Sequence, residues 1–212
     1  MRRLKETPSQ TAGPYVHIGL VPERAGWSPR RAVAGPDLLA ELNAQASGAR
    51  QLPPGVEAIV IEGRVIDASS SAVLDAVVEL WQADHEGRFD RAALAGFRGW
   101  GRSAVDPADG MFRFFTIKPG AVPGAGGLSM APHLALWIVA RGINLGLHTR
   151  MYFPEDSELH LADPVLRTVE PAVRRATLVG ALVVAQETPQ QQRRYRFDIV
   201  LQGPQETVFF DV

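Results

Sequence analysis

Cysteine is absent from the 212 residues of the chain. Disulfides, thiolate metal centres and cysteine nucleophiles are therefore excluded together. An excess of charge of either sign is missing too, since 22 basic and 23 acidic residues leave a formal net charge of −1. That balance offers no electrostatic footprint for nucleic acid or an anionic membrane, and does little to hold the chain apart from a protein partner. Long hydrophobic runs are lacking. The longest, near Leu134 to Ala140, is far too short to cross a bilayer, and no apolar segment of signal-peptide length follows the basic start Met1-Arg2-Arg3-Leu4-Lys5. These features read as a soluble, cytoplasmic chain.

Signatures of several chemistries are also missing. The histidines His17, His85, His133, His148 and His160 include no pair spaced i, i+2 or i, i+4, the spacings that set two imidazoles on one face of a strand or helix. No His-x-Asp/Glu pair suggests a ferrous facial triad. There is no Gly-x-Ser-x-Gly elbow, and Gly124-Ala125-Gly126-Gly127 lacks the Lys-Ser/Thr of a phosphate-cradling loop. Residue by residue, the histidines read as structural.

What is present is a β-rich pattern. Hydrophobic residues make up 46% of the chain, and a fold of this length can bury about 70% of its unfolded surface without staples. Strands are expected over Ala58–Ile66, Ala76–Trp81, Met111–Ile117, Leu134–Ala140, Thr149–Phe153, Tyr195–Gln202 and Thr207–Val212, separated by turn residues such as Asp67-Ala68-Ser69-Ser70-Ser71. The expected fold is mostly β: a two-sheet β-sandwich core with an N-terminal extended arm and few short helices. Residues 1–35 read as the arm because Pro and Gly punctuate them, and Asp37 reads as the N-cap of a short helix over Asp37–Ala46. Two regions are expected, an arm with its short helix over 1–50 and the sandwich over 51–212. Asp163–Val184 reads as a Pro-punctuated loop with one helical turn, Val208-Phe209-Phe210 as a last core strand, and Trp81 and Trp137 as core residues.

On composition and spacing alone the function stays open. Five segments narrow it: Thr7–Leu20; Val78–Asp84 with Gly87-Arg88-Phe89; Phe115–Gly120; Met130–Phe153; and Gln202-Gly203 with Glu206–Asp211. In this order they resemble the intradiol ring-cleavage dioxygenase family, and within it the α chains of its two-chain, protocatechuate-cleaving members. That family holds a ferric ion with two tyrosinates and two histidines. At the corresponding positions this chain has Phe89 for the first tyrosine, Val122 for the second, and His133 and Ala135 for the histidines, with Met130 in place of an active-site arginine. The resemblance therefore implies a chain with no catalytic residue and no metal of its own. Ferric iron would sit in a partner β chain, with protocatechuate and O2 as substrates.

The resemblance further implies that Thr11, Gly13, Pro14 and Tyr15 wall the partner's substrate pocket and that Arg141 faces the aromatic acid's carboxylate. The alternatives are plain chain shape for Gly13 and Pro14, an interface contact for Tyr15, and a surface or subunit salt bridge for Arg141. His133 is expected to be a relic held by packing or hydrogen bonding. Two other classes compete with the accessory subunit. One is a stand-alone transthyretin-like binding module, suggested by the strand–turn–strand pattern of Ile61–Trp81 but lacking the arm and the Val208-Phe209-Phe210-Asp211 ending. The other is an active dioxygenase for another catechol, against which the missing ligands argue.

Overall fold

A computed structural model describes residues 11–27, 35–40, 52–90, 94, 96–184 and 192–211. Twelve strands are assigned among them: β1 (Ala58–Gly63), β2 (Val65–Ile66), β3 (Val77–Trp81), β4 (Trp100–Ala104), β5 (Phe112–Ile117), β6 (Val122–Pro123), β7 (Ser129–Met130), β8 (His133–Val139), β9 (Leu147–Tyr152), β10 (Ala181–Val184), β11 (Arg193–Arg196) and β12 (Ile199–Val200). One four-stranded sheet runs β10-β11-β1-β5 and a second runs β4-β3-β8-β9, with β12-β2 and β6-β7 as short ribbons.

The two large sheets share one apolar core. Ile59 and Ile61 of β1, Phe112 and Phe114 of β5 and Tyr195 of β11 pack with Val78 and Leu80 of β3, Leu134, Leu136 and Ile138 of β8 and Met151 of β9. Side chains alternate along a strand, so the odd residues of β3 and β8 and the even residues of β9 turn away from that core. Except over Thr207–Val212, the aliphatic and aromatic runs produced strands where they were expected, because each buries one set of side chains between the sheets.

Helices are few and short: α1 (Pro14–Leu20), α2 (Ser157–Ala162) and α3 (Ala172–Ala176). The expectation of an extended arm is corrected over residues 14–25, which form α1 and a 3-10 turn at Pro22–Ala25. Pro14 opens α1, and a proline at the first helical position gives up only an amide that has no intrahelical partner there. Most of the helix expected over Asp37–Ala46 lies outside the described residues; within them, Asp37 Oδ1 accepts the Leu39 N–H at 2.9 Å. The region Asp163–Val184 holds a 3-10 turn, α3 and β10 rather than one helical turn in a loop.

The final segment is a single bridge between Phe210 and His148 rather than a strand over Thr207–Val212. It is nevertheless tied down. Phe210 N–H donates to His148 O at 2.8 Å, Thr149 Oγ1 donates to Val208 O at 2.7 Å, and Phe209 and Phe210 are half-buried.

Candidate functional site

The outward face of the second sheet carries the side chains with chemical potential. Strand register sets them in rows: Trp100–Trp81–Ala135–Arg150, Arg102–Glu79–Trp137–His148, and His133–Tyr152. A cavity of about 760 Å³ lies over this face, lined by Trp81, Ala135, Trp137 and Arg150 from the sheet, Leu20 from α1 and Phe210 from the tail. Trp81 is half exposed and Trp137 partly so, which corrects their reading as core residues: both fall on the outward parity of their strands.

Arg102 fastens α1 to this face. Its Nε donates to Glu79 Oε1 at 2.7 Å and its Nη1 to Leu20 O at 2.7 Å. The guanidinium thus neutralises a largely buried carboxylate and satisfies a carbonyl at the helix C-terminus, where positive charge is favoured.

His133, at the start of β8 on the same strand parity, is 7% exposed, with Nδ1 2.8 Å from Ala131 O and its ring 5.6 Å from that of Tyr152. Burial, reinforced by the Arg150 charge, lowers its pKa to about 4 and keeps it neutral near pH 7. Tyr152 is fully buried, and burial pushes its phenol up to about 12. Arg150 Nη1 lies 3.5 Å from the Tyr152 oxygen and 3.4 Å from Met130 Sδ. Below them Asp163, wholly buried, accepts the backbone N–H groups of Ala131, Val165 and Leu166 at 2.8–2.9 Å.

Two of the motif segments meet through glycine. A Cβ on Gly87, whose φ is +79°, would stand 1.8 Å from Ala121 O, and one on Gly120 would stand 2.5 Å from His85 O. Asp84 ties the pair together. Its Oδ1 accepts Glu86 N at 2.8 Å and Arg88 N at 2.9 Å, while its carbonyl accepts Gly120 N at 2.9 Å. The backbone that presents Phe89 and Val122 is therefore close-packed, with Phe89 largely exposed and Val122 buried.

Of the residues expected to wall a substrate pocket, Thr11 and Arg141 come together. Gly142 N–H donates to Thr11 Oγ1 at 2.8 Å, beside an Arg141 whose Nε is 2.5 Å from Asp75 Oδ2. The salt bridge weighed as the alternative for Arg141 is thus present. Gly13 is half-buried, Pro14 opens α1, and Tyr15 on the same helix is 85% exposed.

Comparison with known proteins gives this geometry a family. Residues 34–203 match the Dioxygenase_C family, described as a dioxygenase. The chain is 42% identical to the protocatechuate 3,4-dioxygenase alpha chain of Pseudomonas putida, covering 98% of this chain and 97% of that one. It is 35% identical to the protocatechuate 3,4-dioxygenase beta chain of Burkholderia cepacia, over 69% of this chain and 65% of the other. The chain belongs to the intradiol dioxygenase family. The solved dioxygenase domain of a carbohydrate-binding fusion protein from Streptomyces sp. SirexAA-E shares the fold, with a TM-score of 0.54 at 24% identity, covering 96% of this chain and 100% of that domain.

The ferric ion of intradiol dioxygenases does not fit this chain. Ferric iron is hard and favours anionic oxygen. Phe89 and Val122 carry no oxygen at the two tyrosinate positions, Ala135 has no donor at the second histidine position, and His133 alone remains. Tyr152 is the phenol that sequence spacing did not bring near His133, yet the β8–β9 register sets the two side by side. It is a single phenol at neither of the positions that the resemblance assigns to the tyrosinates, so it does not restore the pair. Among the described residues no group of three or more His, Cys, Asp or Glu side chains could hold a metal. The neighbouring guanidinium of Arg150 further disfavours a trivalent cation at His133.

Proposed function

We propose that this chain is the non-catalytic α subunit of a protocatechuate 3,4-dioxygenase, paired with a β chain that carries the ferric ion. The observation that carries the reading is a preserved scaffold with deleted donors. The glycine-packed loops and the buried histidine of the family's site are in place, while three of four ligand positions hold Phe89, Val122 and Ala135. A fold can outlive the site grafted on it.

In the complex, 3,4-dihydroxybenzoate is opened between its hydroxyl-bearing carbons. Both atoms of O2 enter the product, 3-carboxy-cis,cis-muconate. The contribution of this chain is positional. Residues 1–50 act as the arm that contacts the partner, the 51–212 sandwich carries it, and Thr11, Gly13, Pro14 and Tyr15 wall the partner's pocket. Arg141 supplies a planar cationic fork that suits a carboxylate. The complex works in the cytoplasm, in the β-ketoadipate route of aromatic breakdown. Support for the partnership comes from the balanced charge and from the likeness to both α and β chains. The bridged tail and the fastened α1 run against a stand-alone binding module.

Oxygen uptake with protocatechuate, measured for this chain, for a β chain from the same source and for the two coexpressed, tests the reading. Uptake by the pair, and none by this chain, is the expected result. Uptake by this chain alone contradicts it.

A further inference from the structure

Arg141 stands in a tight turn at the end of β8. Ile143 N–H donates to Ala140 O at 3.2 Å, and Gly142 has a φ of +85°, a backbone conformation that glycine adopts without strain. Across the sheet, the β3–β8 register pairs Val77 with Val139. Continued by two residues past both strand ends, the same register sets Asp75 opposite Arg141. The two do meet: the Asp75 carboxylate accepts Arg141 Nε at 2.5 Å and also the Arg141 backbone N–H. One carboxylate thereby grips both the main chain and the side chain of this residue.

The grip leaves the business end of the arginine open. The Arg141 side chain is 66% exposed against 28% for Asp75, and among the described residues neither terminal nitrogen of Arg141 makes a hydrogen bond. Held by Nε, a guanidinium keeps its two terminal amino groups as a planar fork. From the other side, Thr11 Oγ1 accepts the Gly142 N–H, so the arm is fastened to the same turn. Burial pushes the Asp75 carboxyl up, but the hydrogen bond and charge of Arg141 more than offset it and leave the group below its ordinary value, ionised near pH 7.

We propose that Asp75 is a positioning residue for substrate selection: by clamping Arg141 at its backbone and Nε, it aims the terminal fork at the carboxylate of an aromatic acid in the partner's pocket. This rests on the reading that Arg141 meets that carboxylate. An exposed arginine left loose must give up side-chain freedom each time it binds, whereas a clamped one has already lost most of it. Asp75 therefore lowers KM for substrates that carry the carboxylate. It leaves the chemistry at the partner's ring-cleavage site alone.

The test uses the assembled two-chain enzyme with protocatechuate and with 4-methylcatechol, which lacks the carboxylate. Asp75→Asn is expected to raise KM for protocatechuate about five- to twentyfold, with kcat within about twofold and 4-methylcatechol unaffected. Asp75→Ser also removes the clamping carboxylate and leaves Arg141 intact. It is expected to show the same selective rise, so the proposal stays testable if Asp75→Asn fails to assemble. Arg141→Gln separates the two layers of the argument. If it leaves the preference for protocatechuate unchanged, Arg141 does not meet the carboxylate and the proposal falls with that reading. If it abolishes the preference while Asp75→Asn and Asp75→Ser do not, only the positioning role is overturned. An equal loss on both substrates also overturns it, since that marks general damage.

Discussion

His133 carries a titration that can be measured. Held near 4 by burial and the Arg150 charge, against an ordinary value of 6.5, it binds a proton in the unfolded chain well before it does in the folded one. Between pH 6.5 and 4 the unfolded state carries more protons, so stability rises with pH there and is lost as pH falls through that window. The full difference corresponds to about 3 kcal/mol. Chemical denaturation of wild type and His133→Gln at steps from pH 7.5 to 4 is expected to show the advantage of wild type shrinking by roughly this amount. A difference that stays constant with pH means that His133 is not the buried neutral group described. At the same site Asp163 is the sole carboxylate under three backbone amides. Asp163→Ala strands those amides and is expected to cost about 2–4 kcal/mol in denaturant unfolding. A loss under about 0.5 kcal/mol, the range of an ordinary surface substitution, contradicts this.

Among the elements, α1 depends on a contact that no local pattern announces. Seven residues make too short a helix to stand alone in water. Arg102 on β4 holds it from below while neutralising Glu79, both side chains being largely buried. Arg102→Ala leaves a buried carboxylate unpaired and is expected to cost about 3–5 kcal/mol. Residues 14–27 should at the same time become open to proteolysis in the folded chain. Resistance unchanged in that segment contradicts the anchoring role.

The same contact explains what the sequence made legible. β1, β3, β5, β8 and β9 were readable because their aliphatic and aromatic residues bury themselves whatever surrounds them. β4, Trp-Gly-Arg-Ser-Ala, has no such run; it is a strand because β3 offers it a partner through Val77↔Ala104 to Trp81↔Trp100. The ligand deletions were readable because a missing oxygen is a property of the residue. That Tyr152 lies against His133, that Trp81 and Trp137 look outward, and that Thr11 reaches Gly142 all depend on register and long-range pairing, which composition and spacing do not encode.

At the scale of the whole molecule, the sandwich keeps a cavity lined by Arg150, Ala135 and two tryptophans, on the sheet face that also carries His133, which among the described residues belongs to no metal-binding cluster. Two outlying segments are tied inward, at Leu20 by Arg102 and at Phe210 by His148. Among the described residues no group of three or more His, Cys, Asp or Glu side chains is placed to hold a metal, and the ferric ion belongs, on the proposed reading, to the partner. Iron content and visible absorbance, measured on this chain alone and on its complex with a β chain, test that claim most directly. The account predicts an iron-free, colourless chain and a red complex, coloured by tyrosinate-to-iron charge transfer in the partner. Stoichiometric ferric iron and the same absorbance in the isolated chain would contradict it.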